Sequence, residues 1–275
     1  MALLVQEFRA AVRLVSALSS IGRVEIEVRT VDVAGMAARL YAPPGGEAHP
    51  PLVFFHGGGF TACDLDTHDS LCRHLALASG IRFLSVAYRL APEHRPPAQL
   101  DDALEACRWL LANPEAAGGH DGRIFVGGDS AGGYLAARCA AALPGAVAGQ
   151  LLLYPLVQMD DAAWTARPLR NARLIGRIAI SRINMLLGDA PYPSLVDFAS
   201  EAMPATILVC GDALDPVSPD AASLEAALRA CGVRVELRTY GGLVHGALNI
   251  SGLSRSVARV LDEVAGSMRE VFLGR

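Results

Sequence analysis

Residues 123–143 read RIFVGGDSAGGYLAARCAAAL, and the reading of this stretch decides the fold. A short apolar run at 123–127 ends in glycines, and the Ala-rich segment 131–142 that follows has the composition of a helix. Strand, sharp turn and helix are therefore expected in immediate succession. Within the turn, Gly128-Asp129-Ser130-Ala131-Gly132 fits the pattern G-x-S-x-G. A serine on such a turn is pushed out above the sheet edge, with the N-terminus of the next helix aimed at whatever the serine meets. Glycines two before and two after leave room for close backbone packing. Alone the pattern is weak, since Gly and Ser are common in turns; the strand before it and the helix after it supply the confirming context. Ser130 is the candidate nucleophile, and Asp129 reads as a residue holding the loop.

Working outward, strands and helices alternate. Strands are expected at 51–55, 81–87, 149–154, 205–210 and 233–240, and helices at 67–79, 98–112, 220–231 and 253–271. Repeated βα units imply an α/β fold with a mostly parallel sheet and helices on both faces. Toward the N-terminus, residues 2–18 look helical, 23–31 alternate polar and apolar like a half-buried strand, and 36–41 read as its hairpin partner. The alternation breaks at 156–200, an irregular stretch that contains Trp164, Pro168, Pro191 and Pro193. We read it as an insertion over the strand ends, where such sheets bind ligands. The 275 residues suit one domain, 1–275, with a small lid from about 1–20 and 156–200.

Directly after the strand at 51–55 comes His56-Gly57-Gly58-Gly59-Phe60. Consecutive glycines can present backbone N–H groups to a developing oxyanion with no side chain in the way. Gly58 and Gly59 are assigned as donors, with the N–H of Ala131 as a third. A phosphate cradle is the competing reading, but no G-K-[ST] follows and no dinucleotide fingerprint is present. His56 reads as a residue that holds this loop by hydrogen bonds.

Where a serine occupies a strand-to-helix turn, its acid and then its histidine follow in chain order. Of the seven His, only His245 comes after Ser130. It is the candidate base. Asp212 and Asp215 both follow the strand at 205–210; Asp215 is preferred as the acid that fixes the His tautomer, and Asp212 as a turn former. Asp101 and Asp102 begin a helix and suit its dipole. Asp160, Asp161 and Asp189 are assigned to the lid.

Composition narrows the classes. A net charge of −4 with no basic stripe gives no footprint for nucleic acid. Every basic residue among the Lys and Arg is Arg, which excludes a Ser–Lys hydrolase. The six Cys form no CxxC and no zinc spacing, so free thiols in a reducing compartment are expected. Glu7, Arg9 and Arg13 interrupt the apolar N-terminus, which argues for an amphipathic helix over a signal peptide; the expected location is cytoplasmic, without stable membrane insertion.

Jointly these motifs resemble the hormone-sensitive lipase-like (bacterial family IV) esterases of the α/β-hydrolase superfamily. The resemblance is carried by His56 to Phe60, by 64–76 (DLDTHDSLCRHLA), by Tyr88-Arg89-Leu90-Ala91-Pro92-Glu93-His94 through Pro97-Ala98, by Gly128 to Gly133, by Asp215-Pro216 and by His245-Gly246. It runs from about 25 to 270. It implies a carboxylic-ester hydrolase with no metal or organic cofactor, acting on short- to medium-chain acyl esters of small molecules. Relatives often dimerise, and a homodimer is left open, since the sequence carries no interface signal of its own. The chain departs from the family at three places. The N-terminus is shorter by about one helix, Val217-Ser218-Pro219-Asp220 replaces the usual run after the acid, and Ala247 stands where an aromatic commonly follows His-Gly. The first change implies a reduced lid and a more open acyl site, and the other two imply a larger site or a shifted substrate. Glu93 and His94 are read as structural residues fixing loops near the turn. Two other activities share such a scaffold. Some relatives cleave amides or eliminate water, and plant gibberellin receptors bind without catalysis after losing the histidine that His245 supplies here.

Overall fold

Two torsions place the first strands. Ala34 and Gly35 both adopt positive φ (52° and 85°), and Asp32 Oδ1 accepts the Gly35 N–H at 2.9 Å. Such a two-residue turn matches the right-handed strand twist and closes a tight hairpin. It joins β1 (Glu27–Val33) to β2 (Met36–Ala42), which pair antiparallel with Val33 opposite Met36. The structure, a computed structural model, describes residues 2–19, 24–46, 49–119, 121–165, 173–188 and 192–275. Arg23, Pro168, Asp189 and Pro191, named above, lie outside the described residues.

Among the described residues eight strands form one sheet in the order β1-β2-β4-β3-β5-β6-β7-β8, with β3 (Leu52–Phe55), β4 (Phe83–Val86), β5 (Ile124–Asp129), β6 (Val147–Leu153), β7 (Ala205–Gly211) and β8 (Val235–Tyr240). β2 is antiparallel to both of its neighbours, β1 and β4, and β3 through β8 run parallel to one another. Every residue of β3, β4 and β5 is buried, which is why they read as continuous apolar runs without alternation.

The helices form two layers. α2 (Asp69–Ser79) packs on α8 (Arg255–Leu273), and α3 (Ala98–Ala112) packs on α4 (Ala131–Ala142), which lies against β5 and β6. α8 buries Val257, Leu261, Val264, Ala265 and Met268 on one stripe, and Ser254 caps its N-terminus by accepting the Val257 N–H. α7 (Ser218–Ala230) follows β7, and α1 (Ala2–Ser19) packs on the short 3-10 turn Ala247–Leu253.

The expected strands and helices are present with small shifts; β1 begins four residues later than the alternation suggested, at Glu27. The irregular reading of 156–200 is corrected. That stretch contains α5 (Asp161–Thr165), α6 (Arg173–Leu187) and a 3-10 turn at Leu195–Phe198. α6 escaped because Pro168 before it and Pro191 and Pro193 after it drew the whole stretch toward a loop reading. No described helix is long and apolar enough to cross a membrane.

Candidate active site

The elbow is built by glycines that nothing else could replace. A Cβ at Gly132 would stand 1.8 Å from the Phe55 carbonyl oxygen, and one at Gly128 would stand 2.4 Å from the Gly132 oxygen. Their absence lets α4 press against β3 and leaves Ser130 at the apex with φ 53° and ψ −117°. Non-glycine residues rarely hold such torsions, and they persist where the surroundings over-determine them. Here the surroundings include the first turn of α4, whose Tyr134 N–H donates to Ser130 O at 3.1 Å, and two backbone bonds to the strand end beside it. Ser130 N–H donates to Leu153 O at 2.9 Å, and Leu156 N–H donates to Ser130 O at 3.0 Å.

The structure brings the three predicted side chains into one line. His245 Nε2 lies 2.8 Å from Ser130 Oγ, and His245 Nδ1 lies 3.0 Å from Asp215 Oδ1. Asp215 is buried and accepts the N–H groups of Val217 (3.1 Å) and Gly211 (3.3 Å), so its carboxylate is fixed before it meets the imidazole. Gly211 also lets the histidine loop descend, for a Cβ there would stand 2.0 Å from Leu243 O. Asp212 behaves as the turn former expected of it, accepting the Leu214 N–H at 3.2 Å.

Gly58 and Gly59 adopt φ of 104° and 61° and line the cavity beside Ser130. Among the described residues no acceptor takes the N–H of Gly58, Gly59 or Ala131. The loop is tied to the elbow by Asp129. Its Oδ1 accepts the Gly57 N–H at 2.7 Å and lies 2.9 Å from His68 Nε2, while Asn249 Nδ2 reaches Oδ2 at 3.4 Å. Burial works to raise the Asp129 carboxyl, yet the charge and hydrogen bond of His68 with the Gly57 N–H bring it below the ordinary carboxylate range. The other nitrogen of His68 lies 2.9 Å from Thr67 Oγ1. His56 keeps its loop in shape as expected: its Nδ1 lies 2.8 Å from Gly57 O, its ring stacks on Tyr88 at 4.4 Å, and Tyr88 Oη donates to its carbonyl at 2.7 Å. Burial, with His68 beside it, lowers the His56 imidazole to about 4, so the ring is neutral at neutral pH.

Sequence reasoning missed Tyr154. It follows β6 with φ 35°, donates its N–H to Val209 O at 2.6 Å, and places its ring 4.9 Å from that of His245. Burial raises its phenol well above the ordinary tyrosine value, so no negative charge develops beside the imidazole. Leu153, Tyr154 and Leu156 thus hold the serine and back the histidine from one short segment. His68 was missed as a partner of Asp129. Neither has a local sequence signal, because each contact joins distant parts of the chain.

Two expectations differ. Asp102 serves Arg89 more than a helix dipole, accepting its N–H at 2.8 Å and its guanidinium at 2.6 Å. Glu93 reaches α1 instead of the elbow: Arg9 donates to both its oxygens at 2.8 Å and also to Thr61 O and Ala91 O. The Arg9 hydrogen bond brings the Glu93 carboxyl down to about 2. His94 is exposed and contributes its carbonyl, which accepts from Gln99 at 2.6 Å. Asp161 lies in α5 and accepts from Asn184 at 3.1 Å.

Over these groups lies a cavity of about 770 Å³ with mostly apolar walls, formed by Val5, Phe8 and Val12 of α1 and Ile180, Ile183 and Leu186 of α6. Ile183 covers the oxyanion loop so closely that a Cβ at Gly59 would meet it at 2.6 Å.

A parallel sheet, a strained serine on the turn after its central strand, and a histidine and carboxylate from later strand ends define an α/β-hydrolase. The profile of a family described as alpha/beta hydrolase fold matches residues 52–249. The carboxylic ester hydrolase LipN of Mycobacterium tuberculosis is 37% identical over 90% of this chain and 71% of its own. An ethyl acetate hydrolase of Pseudomonas putida is 30% identical over 90% of this chain and 82% of its own. A crystal structure of an esterase from the bacterial hormone-sensitive lipase family superposes with a TM-score of 0.80 at 25% identity, covering 94% of this chain and 90% of the other. The chain belongs to the hormone-sensitive lipase-like esterases of the α/β-hydrolase superfamily, and it is a carboxylic-ester hydrolase.

Proposed function

We propose that this carboxylesterase cleaves short- to medium-chain acyl esters by two-step acyl transfer, with Ser130 as nucleophile, His245 as base and Asp215 as its orienting acid. The observation that carries the reading is the unbroken line from Ser130 Oγ through His245 to Asp215, at 2.8 and 3.0 Å. His245 Nε2 takes the serine proton as Oγ attacks the ester carbonyl. The carbonyl oxygen becomes an oxyanion and accepts the unengaged N–H groups of Gly58, Gly59 and Ala131; one such donor is worth on the order of 100- to 1000-fold in rate. Collapse breaks the C–O bond, His245 protonates the departing alcohol, and water activated by the same imidazole then frees the acid. Asp215 stabilises the imidazolium at each stage.

The lid reading assigns α1 and the α5–α6 segment to one domain with the sheet, as the walls of the acyl site. The half-open apolar cavity supports acceptance of modest acyl chains, and the likeness to a protein named for ethyl acetate supports the short end. Six free thiols agree with a cytoplasmic setting.

The test is hydrolysis of p-nitrophenyl esters from acetate to palmitate, with arylamides alongside, by the wild type and Ser130→Ala. Turnover should peak at short to medium chains and fall roughly 10⁴-fold or more in the variant. Folded protein with no activity on any ester, or with amides turned over faster, would overturn the reading.

A further inference from the structure

The outward face of α6 is apolar and carries only positive charge among its described residues. From Ala162 to Gly188 the sequence carries Arg167, Arg170, Arg173, Arg177 and Arg182 and no Asp or Glu, in a chain whose net charge is −4. At 100° per residue, Leu174, Ile178 and Met185 fall within about 40° of one another on α6. All three face solvent, at 49%, 53% and 61% exposure. Arg177 and Arg182 flank this apolar stripe, at roughly 60° and 80° from Leu174 on its two sides. The opposite face of the helix turns Gly176, Ile180 and Ile183 to the cavity. α6 is therefore apolar inward, where it walls the substrate site, and apolar again outward, where the helix has no core to cover.

The stripe ends at the mouth of the cavity. Met185 lines that mouth, and so does Phe8 of α1, itself 53% exposed. Asp161 shares a shallow groove with Arg177 and Arg182, and the balance of that groove stays positive. An exposed apolar stripe between arginines is the pattern of a helix that lies in the plane of a lipid interface. Its apolar side chains enter the acyl region, and its guanidiniums meet anionic headgroups. A second copy of the chain laid on this stripe across a two-fold axis would bring Arg177 and Arg182 against the same two arginines of its partner, which the charge disfavours.

We infer that the outward face of α6, with Phe8 beside it, docks on anionic lipid surfaces and presents the mouth of the cavity to esters dissolved in them. The docking is peripheral, and it goes beyond ester hydrolysis in solution because it is a binding property that survives loss of the nucleophile.

The experiment is co-sedimentation of the full chain and of Ser130→Ala with phosphatidylcholine vesicles, alone or with about one third phosphatidylglycerol. Both proteins should bind the anionic vesicles alone, with binding lost at high salt. Arg177→Glu should lower that binding roughly tenfold or more, since each arginine near such a surface contributes about a fivefold partition and reversal also adds repulsion. Leu174→Ser with Ile178→Ser should do likewise. These three positions lie outside the substrate cavity, so hydrolysis of a soluble p-nitrophenyl ester serves as the folding control and should not change. Wild-type protein left in the supernatant with anionic vesicles would overturn the inference. So would equal binding by Arg177→Glu, or gel filtration showing a dimer that Leu174→Ser and Ile178→Ser split. Loss of ester hydrolysis with vesicle binding intact would instead fall on the proposed mechanism.

Discussion

Positive φ at Ser130 and at Tyr154 costs of order 1–3 kcal/mol at each residue, and in both cases the backbone is held by bonds to a neighbouring strand end. The two strains belong together, since 153–156 fixes the serine on one side and backs the histidine on the other. Tyr154→Leu removes the ring that packs on His245 while keeping bulk. The expected result is a roughly tenfold to hundredfold loss in kcat/KM with a displaced acidic limb in its pH profile, whereas Tyr154→Phe keeps both near wild type. An unchanged profile in Tyr154→Leu would reduce the residue to core filling. Gly132→Ala drives a methyl into Phe55 O and should cost about 3 kcal/mol or more, read as a fall of several degrees in thermal midpoint. At this scale the site was largely legible. Ser130 and the glycines sit in a contiguous motif, and His245 could be found by elimination. His68 and Tyr154 were not legible, because a contact from His68 to Asp129 spans 61 residues of chain, by subtraction of their numbers, with no periodic mark on either residue.

Among the elements, α1 is held over the site by two arginines, Arg13, which donates to Asp64 at 2.8 Å, and the more fully engaged Arg9. Arg9 reaches Thr61 O, Ala91 O and both oxygens of Glu93, so the helix is tied to the oxyanion loop and to the loop before α3 at once. The pair is partly exposed, and we expect about 1 kcal/mol from it together with its carbonyl bonds. Arg9→Ala should raise KM several-fold for butyrate and longer esters while leaving kcat for acetate within about twofold, because α1 walls the acyl site and touches no reacting atom. A uniform fall in kcat across all esters would contradict that division. The strands were readable because burial on both faces makes them short continuous apolar runs, and the hairpin because its alternation is interrupted at Ala34-Gly35. α6 was passed over because prolines at 168, 191 and 193 surround it and made the segment read as irregular, although the helix itself keeps a helical period.

For the molecule as a whole, acid stability near neutrality draws on two imidazoles whose pKa the fold lowers, His49 and the fully buried His56. The buried His56 imidazole is lowered from 6.5 to about 4, so the unfolded chain binds a proton between those values that the native chain refuses. The contribution is complete above pH 6.5 and declines as pH falls toward 4, by up to about 3 kcal/mol. Thermal midpoints measured across that interval should fall with acid, and His56→Asn should flatten the dependence. A slope equal in both proteins would place the effect elsewhere. The general architecture followed from the alternation of elements alone, with the order of the strands settled only by their pairing.

That order has a consequence for synthesis. Ser130 follows a strand near the middle of the sheet, yet its two partners arrive much later in synthesis, after β7 and after β8. α8, which follows His245, then closes over α2 from the first third of the chain. On the proposed mechanism, a nascent chain stalled before residue 245 lacks its base and should be catalytically silent. Activity should appear abruptly, only after α8 has cleared the exit tunnel. The cell is thereby spared an unfinished hydrolase acting on whatever esters surround the translating ribosome.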